Sequence, residues 1–423
     1  MTNKIFRFRI LFLLVAGTLS WHQANSQNGS TSPYSRYGIG DIISEGFTDQ
    51  AGMGGLGAAL ASPFNINFTN PASYIADSIV LFEVGARGEV RELERNGATT
   101  TLNSSSFSYL SLAFPIVKGK VAVAFGVLPI STVGYNIVVN DNNVPDIGTV
   151  RYKYEGDGGY NKFFLGTGVR LSKRLTAGLN VSYLFGTIDN VKSVEFPFAS
   201  NYFNSRYINA VTANGFNFDY GLMYEKPIKH GLMFRAGFTG SLSTKVNASN
   251  SQYYYNYSIS PFGGEIVKDS VFNASEEKGK IQLPQYWRGG ITIEKPNKWV
   301  VGTDFIYNNW KQFESFNSHD SLKNSYSAII GGQRMAEHFD YRMGFRYTNS
   351  YLNLKDTRLD DYAFTLGIGI KKLFAKRAPS TINVAFEFGQ RGTLENGLIK
   401  EQYVKFHLGF TLSDIWFIQP KYD

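Results

Sequence analysis

The sequence predicts an all-β protein, a fourteen-stranded antiparallel transmembrane β-barrel with an N-terminal hatch inside its lumen. Three observations predict it. The chain opens on an export signal and has no cysteine among its 423 residues. From Ser78 onward, apolar residues alternate with small or polar ones in segments of about ten residues. Aromatic residues make up 15% of the chain and charged residues only 18%, yet no apolar run after the signal is long enough for a spanning helix.

The export signal comes first. Lys4, Arg7 and Arg9 form a basic start, "ILFLLVAGTL" an apolar core, and Ala24-Asn25-Ser26 a cleavage site with small residues at the required spacing. Residues 1–26 therefore read as a signal peptide, with Gln27 opening the mature chain. Without cysteine there are no disulfides, no thiol chemistry and no lipidated cysteine. An exported, disulfide-free chain of this composition fits the outer membrane of a Gram-negative envelope, with lipid as its surroundings.

The barrel occupies 78–412. Tyr362, Phe364, Leu366, Ile368 and Ile370 alternate with Ala363, Thr365, Gly367 and Gly369, and Ile382, Val384, Phe386 and Phe388 with Asn383, Ala385 and Glu387. Such segments lie near 78–90, 104–115, 119–133, 159–171, 174–189, 210–225, 231–244, 281–294, 298–310, 322–334, 338–351, 360–372, 379–391 and 399–412, about the length of tilted spanning strands. Short and long links alternate between them. The longest gaps, near 134–158, 190–209 and 245–280, read as outer loops, and the brief links as periplasmic turns. Trp287, Trp299, Tyr307, Trp310 and Tyr347 fall near strand ends, where an interfacial girdle would sit. A soluble sandwich or propeller is the competing reading, but no blade-like repeat is present. Residues 413–423, "SDIWFIQPKYD", read as a periplasmic tail.

Residues 27–77 alternate little. Gly52, Gly54 and Gly57 satisfy G-x-G-x-x-G, but no strand precedes them and Pro63 leaves no room for the helix a dinucleotide site needs. The segment carries Tyr34, Ile39, Phe47, Met53, Leu56, Leu60, Ile66 and Phe68, too many apolar residues for a disordered tail. It reads as a plug folded into the lumen, with its glycines serving tight turns and close packing. Here "GMGGLGAALASPFNINFTNPASYIA" resembles the N-terminal hatch of FadL-type outer-membrane transporters of long-chain fatty acids and other hydrophobic compounds. The likeness rests on a glycine element, Gly52, Gly54 and Gly55 with Met53, and on an NPA element, Asn70, Pro71 and Ala72. It implies hatch gating by those residues. It also implies a lateral opening where the third strand kinks, which falls on Gly126 and Pro129 in "FGVLPIS". The type IX secretion barrel (PorV-type) uses the same plan to serve proteins, so the fold leaves function open.

Chemistry is sparse. After the signal peptide the histidines are scattered, no serine has a histidine partner at a recognisable spacing, and no metal or cofactor site is expected; an enzyme is not the reading. Much of the net charge of +8 sits in short turns, so nucleic acid is not a partner. On the assumed register Glu83, Arg87, Arg170, Asp219, Arg235, Arg288, Asp304, Arg342, Arg346, Glu387 and His407 point inward, where pairing that holds the hatch is the plain expectation. Arg288 and Arg342 are the candidates for an anionic head group. The resemblance makes the third and fourth outer loops a ligand-capture groove: Phe196, Phe198, Tyr202 and Phe203 in one, Tyr253, Tyr254, Tyr255 and Tyr257 in the other. Two functions follow. One is passive transport of a hydrophobic small molecule such as a long-chain fatty acid. The other is service to an envelope protein partner in a secretion or assembly complex. Exposed loop aromatics with a continuous apolar path favour the first; a closed, salt-bridged lumen favours the second.

Overall fold

The computed structural model describes residues 30–43, 46–76, 79–199, 201–260, 262–318, 321–371 and 380–414. The expected signal peptide and the tail beyond Asp414 lie outside them. The barrel strands are β1 (Val80–Arg95), β2 (Ala98–Val117), β3 (Val121–Pro129 and Ser131–Val144), β4 (Gly148–Arg170), β5 (Leu175–Glu195), β6 (Asn204–Ile228) and β7 (Leu232–Ser241 and Thr244–Ile259). They continue with β8 (Glu265–Leu283 and Tyr286–Lys295), β9 (Trp299–Asn308), β10 (Ser325–Met335), β11 (Phe339–Leu354), β12 (Thr357–Lys371), β13 (Thr381–Arg391) and β14 (Lys400–Asp414). Every neighbouring pair is antiparallel, and β14 pairs with β1 from Lys400↔Glu94 to Asp414↔Val80, which closes fourteen strands into a barrel. Closure is what lipid demands, because an amide facing hydrocarbon has no water to bond.

The period-two pattern does what the sequence implies. Along β12, Tyr362, Phe364 and Leu366 face outward and are exposed, while Ala363 and Thr365 are buried. Phe305, Ile330, Phe345, Phe386 and Phe406 extend the exposed apolar belt around the wall. The turns after β2, β4, β6, β8 and β10 are short, so that end is periplasmic.

The other end differs from the expected loops. The gaps near 134–158, 190–209 and 245–280 are mostly strand, and the links are only the stretches between Val144 and Gly148, Glu195 and Asn204, and Ile259 and Glu265. β4, β5 and β6 have 23, 21 and 25 residues. About ten tilted residues cross a bilayer, so these strands rise roughly 30 Å or more along their length beyond it. Alternation disappears there because both faces meet water or polar lumen, while β-branched and aromatic residues still favour strand. The first outer link is likewise a tight turn at Asn96 (φ 50°) and Gly97 (φ 78°), the asparagine-glycine pair of a two-residue hairpin. β9, β10 and β13 are shorter, so the barrel has one tall wall and one low one.

Trp310 is not a girdle residue. It sits on a short 3₁₀ turn that carries it into the lumen, buried, with its ring 4.4 Å from that of Tyr351. Trp287 and Tyr307, 5.6 Å apart across β8 and β9, do face outward at the girdle level. Because Trp310 fills the upper lumen, Trp310→Ala should cost about 3–5 kcal/mol. The temperature at which the compact, fast-migrating gel band converts to the slow one should fall. Phe198→Ala, at a tip residue that is 82% exposed, should leave it unchanged.

Candidate functional site

The site is the lumen and the chain segment that fills it. Residues 30–43 and 46–76 lead from the outer mouth to the periplasmic end, with a 3₁₀ turn at Pro33–Arg36, one short helical turn at Thr48–Ala51 and a 3₁₀ helix at Pro71–Ala76. They contribute to all three apolar clusters of the interior. Tyr34 and Ile39 pack with Val133, Tyr160 and Trp310 near the top. Phe47 stacks on Tyr109 at 3.9 Å, and Ile66, Phe68 and Tyr74 join them against Phe164. Met53, Leu56 and Leu60 pack on Val300 and Ile329.

A segment with so little regular structure leaves its amides without partners of its own, and the wall supplies them. One carboxylate oxygen of Asp304 accepts from the amides of Gly57 (2.8 Å) and Ala58 (2.9 Å) and from Nε of Arg288 (2.8 Å). Arg288 in turn donates to the Gly55 carbonyl. Glu83 accepts from the amide of Ile66 at 2.9 Å. Thr365 accepts from the Gly54 amide at 2.8 Å and donates to the Gly52 carbonyl at 3.2 Å. Asn67 organises the hatch internally: it accepts from Gln50 Nε2 at 2.6 Å and donates to the carbonyls of Gly57 (2.7 Å) and Leu60 (2.8 Å). Asn70 donates to the Ala58 carbonyl at 2.6 Å and to Leu222 of β6 at 3.2 Å, and accepts from the Ala72 amide at 3.0 Å. Pro71 starts the 3₁₀ helix that seats on β4 and β5.

The glycines answer to this packing. Gly54 (φ +72°) and Gly55 (φ +91°) take left-handed backbone that lets the chain turn under β11. The wall is notched to match: a Cβ on Gly237 would stand 1.8 Å from the Ala58 carbonyl oxygen, on Gly331 2.2 Å from that of Met53, and on Gly178 2.3 Å from the Pro71 carbonyl carbon.

At the outer mouth the hatch is clamped by charge. Arg391 Nη1 donates to Asp41 at 2.9 Å and Nε donates to Glu401 at 2.8 Å, while Arg91 pairs with Glu401 and Ser30 donates to Asp41 at 2.7 Å. Burial alone would raise the Asp41 pKa, but the guanidinium groups of Arg391 and Arg91 outweigh it and hold the carboxyl at about 2. Next to Asp41, Ile42 and Asp41 form a two-residue strand on Ser131 and Thr132 of β3. Between clamp and wall lies a cavity of about 330 Å³, lined by charged and polar groups such as Lys162, Arg346 and Arg391 together with apolar ones such as Leu283 and Ile306.

Of the two arginines considered for a head group, Arg288 is engaged by the hatch and the wall, and Arg342 is buried with its Nη2 making no hydrogen bond. Arg288 is held as above, and Arg342 donates from Nε to Gln333 and from Nη1 to Asn383, each at 2.8 Å, with Asp340 at 3.8 Å. Pro129 ends the inner half of β3, and Ile130 interrupts the strand, accepting from the amide of Ile43 of the hatch at 3.0 Å. Gly126 lies near the outer end of the β2–β3 ladder, opposite Ser111, and a Cβ there would stand 2.3 Å from the Leu110 carbonyl oxygen. Of the expected loop aromatics, Phe196, Phe198, Tyr202 and Phe203 do lie in a link, with Phe196 and Tyr202 rings 5.3 Å apart. Tyr253, Tyr254, Tyr255 and Tyr257 lie instead on the outer half of β7, paired in continuous register with β6 and, across two register shifts, with β8. Tyr257 is buried under Arg206, 4.7 Å from the ring centroid, and Arg206 forks onto Glu265 with two contacts of 2.7 Å. Sequence reasoning missed Arg91, Arg391 and Glu401 as one cluster. Their signal was inward phase at the strand ends, which a membrane-limited register treats as head-group level. The hatch sequence also supplies Asp41, Glu45, Asp49 and Asp77 toward the lumen charges, and of these Glu45 and Asp77 fall outside the described residues.

A closed fourteen-stranded barrel with its N-terminal segment folded into the lumen defines a class of outer-membrane protein that includes channels for hydrophobic compounds. The structure is similar to a Pseudomonas aeruginosa FadL homologue, at 12% identity over 88% of this chain and 99% of that one, with a TM-score of 0.62. It is also similar to the toluene transporter TodX of P. putida, at 15% identity over 89% and 100%, TM-score 0.57. The CymD monoaromatic hydrocarbon channel follows at 13% identity over 89% and 98%, TM-score 0.56. At such identities the likeness is one of fold, and it places the chain in the outer membrane. Within that class the chain belongs to the BamG family, whose profile matches residues 4–423. No curated protein matches the sequence.

Two outcomes are expected of the hatch. Gly331→Val should prevent Met53 from seating, so protease should cut within residues 46–60 of a still-closed barrel; uncut protein would show that the notches are not needed. Acid should release the outer clamp. The Asp41 carboxyl lies below the ordinary value near 4, so its contribution is whole above about pH 4 and is lost as pH falls toward 2. Amide exchange of residues 30–43 should accelerate in that window, and Asp41→Asn should exchange fast already at pH 6.

Proposed function

We propose that this barrel is a sealed interaction module of the outer membrane, serving as a partner in a secretion or outer-membrane assembly complex. The observation that carries the reading is how the hatch is bonded into the lumen: Asp304 accepts two hatch amides and Arg288, and Arg342 is buried on Gln333 and Asn383, where a head group would have to displace its neighbours to reach it. A passage for ligand would first have to break these buried, charge-assisted bonds, each worth about 1.5–3 kcal/mol. The tall wall of β4–β8 adds a large surface above the membrane that a conduit does not need.

The second reading is passive transport of hydrophobic compounds, including long-chain fatty acids. The lumenal cavity of about 330 Å³ and the interruption of β3 after Pro129 favour it. In that case the hatch, from Gly52 to Ala72, would gate, the aromatics from Phe196 to Tyr257 would capture ligand, and exit would be lateral beside Gly126 and Pro129.

One pair of measurements separates them. On native gels of gently solubilised outer membrane, the protein should run in an assembly with other envelope proteins. In proteoliposomes it should pass neither toluene nor a long-chain fatty acid, whereas Asp304→Ala, which frees the hatch, should admit them. Uptake by the unaltered barrel, abolished by Tyr254→Ser with Tyr255→Ser and Tyr257→Ser, would establish transport and overturn the sealed reading.

A further inference from the structure

The ladder between β2 and β3 stops at Leu110↔Val127. Beyond that level the two strands part. The outer half of β2 pairs only with β1, from Val90↔Asn103 up to Arg95↔Ala98. The outer half of β3 pairs with β4 and, at Ser131 and Thr132 alone, with the hatch strand. Among the described residues, no strand pairs with the other edge of Ala98–Ser104 or with that of Asn136–Asp141. The wall thus carries a cleft between two projecting ribbons, starting beside the lipid-facing Phe107 and Leu110.

Open edges are normally guarded by lysine, proline or short length. This one is not. Ala98–Phe107 reads "ATTTLNSSSF", with three consecutive threonines, no charge and no proline. Ala98 to Asn103 are all exposed, so neither face of the ribbon is covered by the hatch or the wall. The facing ribbon is similar, with Val138 and Val139 exposed on opposite faces. Above the outer leaflet such an edge meets only water, which a strand offering its own amides and carbonyls can replace. The barrel already uses strand addition at this cleft, since Asp41↔Thr132 and Ile42↔Ser131 add the hatch to the same edge of β3.

We propose that the open edge of β2, Ala98–Ser104, takes up an extended strand from a partner protein of the outer membrane, bound by backbone hydrogen bonds across the cleft. The incoming strand must be free of acidic residues where it passes the threonines, because β1 carries Glu94 and Glu92 opposite Thr99 and Thr101. This deepens the interaction-module reading by naming the mode of contact, and rests on it.

The test is a cross-linking ladder in the full-length protein in its native membrane. A photoreactive residue is placed in turn at Thr99, Thr101 and Asn103, and the adducts are mapped by mass spectrometry. The expected result is attachment to one segment of one partner, advancing by two residues for each step of two, as paired strands require. Thr100→Lys with Leu102→Lys should reduce the adducts about tenfold or more while the barrel stays heat-modifiable. Thr100→Val with Leu102→Val should preserve them. Adducts without register, adducts only to lipid or to a second copy of this chain, or lysine variants that cross-link normally would each overturn the proposal. If those lysine variants still ran in the large native assembly, the interaction-module reading would stand without it. Absence of any assembly from the unaltered protein would remove both.

Discussion

An irregular chain sealed inside a closed wall must find a partner for every amide it brings, and that requirement shapes this molecule. Most of the hatch is buried, and an unpaired buried polar group costs on the order of 1–3 kcal/mol. The wall answers with side chains that accept: Asp304 for Gly57 and Ala58, Glu83 for Ile66, Thr365 for Gly54. Two of these acceptors are carboxylates, and buried carboxylates need cations of their own, so Arg288 is fixed by Asp304 before any ligand is considered. The paired charges of the lumen are therefore a consequence of filling it with coil.

The same requirement explains where the glycines went. Hatch and wall approach so closely that backbone lies on backbone at Gly237 over Ala58, Gly331 over Met53 and Gly178 over Pro71. A motif that resembles a phosphate cradle in one dimension is a packing surface in three, because its amides are spent on Asp304 and Thr365.

The membrane-level wall was legible in the sequence because lipid imposes one rule on it: at that level β12 and β13 alternate apolar residues with small or polar ones. Above the membrane that rule ends, and the segments around Tyr152, Tyr207 and Tyr255 looked like loops although they are strands. The asparagine-glycine pair at Asn96 and Gly97 did announce a tight hairpin, but a count built on loop length passed over it. Trp310 was misplaced for the opposite reason. A tryptophan at the end of a strand fits a girdle, and only the 3₁₀ turn after Asn309 sends it inward. The pairing of Arg288 with Asp304 followed from the inward register, whereas the Arg91–Arg391–Glu401 cluster joins three strand ends that are neighbours only once the barrel closes.

That cluster bears on how the molecule is made. Ser32 donates to Glu401 and Tyr34 to Ile399, so the upstream end of the hatch is fastened to the last strand across 369 and 365 residues. The binding platform for the upstream end is incomplete until β13 and β14 are in place, while β14 cannot seal against β1 around a hatch that lies outside. Threading the finished ring from the periplasm would drag the charged Asp41 past the buried apolar wall residues of the lower lumen. The hatch and the closing seam therefore have to settle together, which makes the first segment to leave the translocation machinery among the last to reach its native contacts. Ordering contacts so far apart in sequence is slow, and the half-closed barrel has to persist, edges exposed, for as long as that takes.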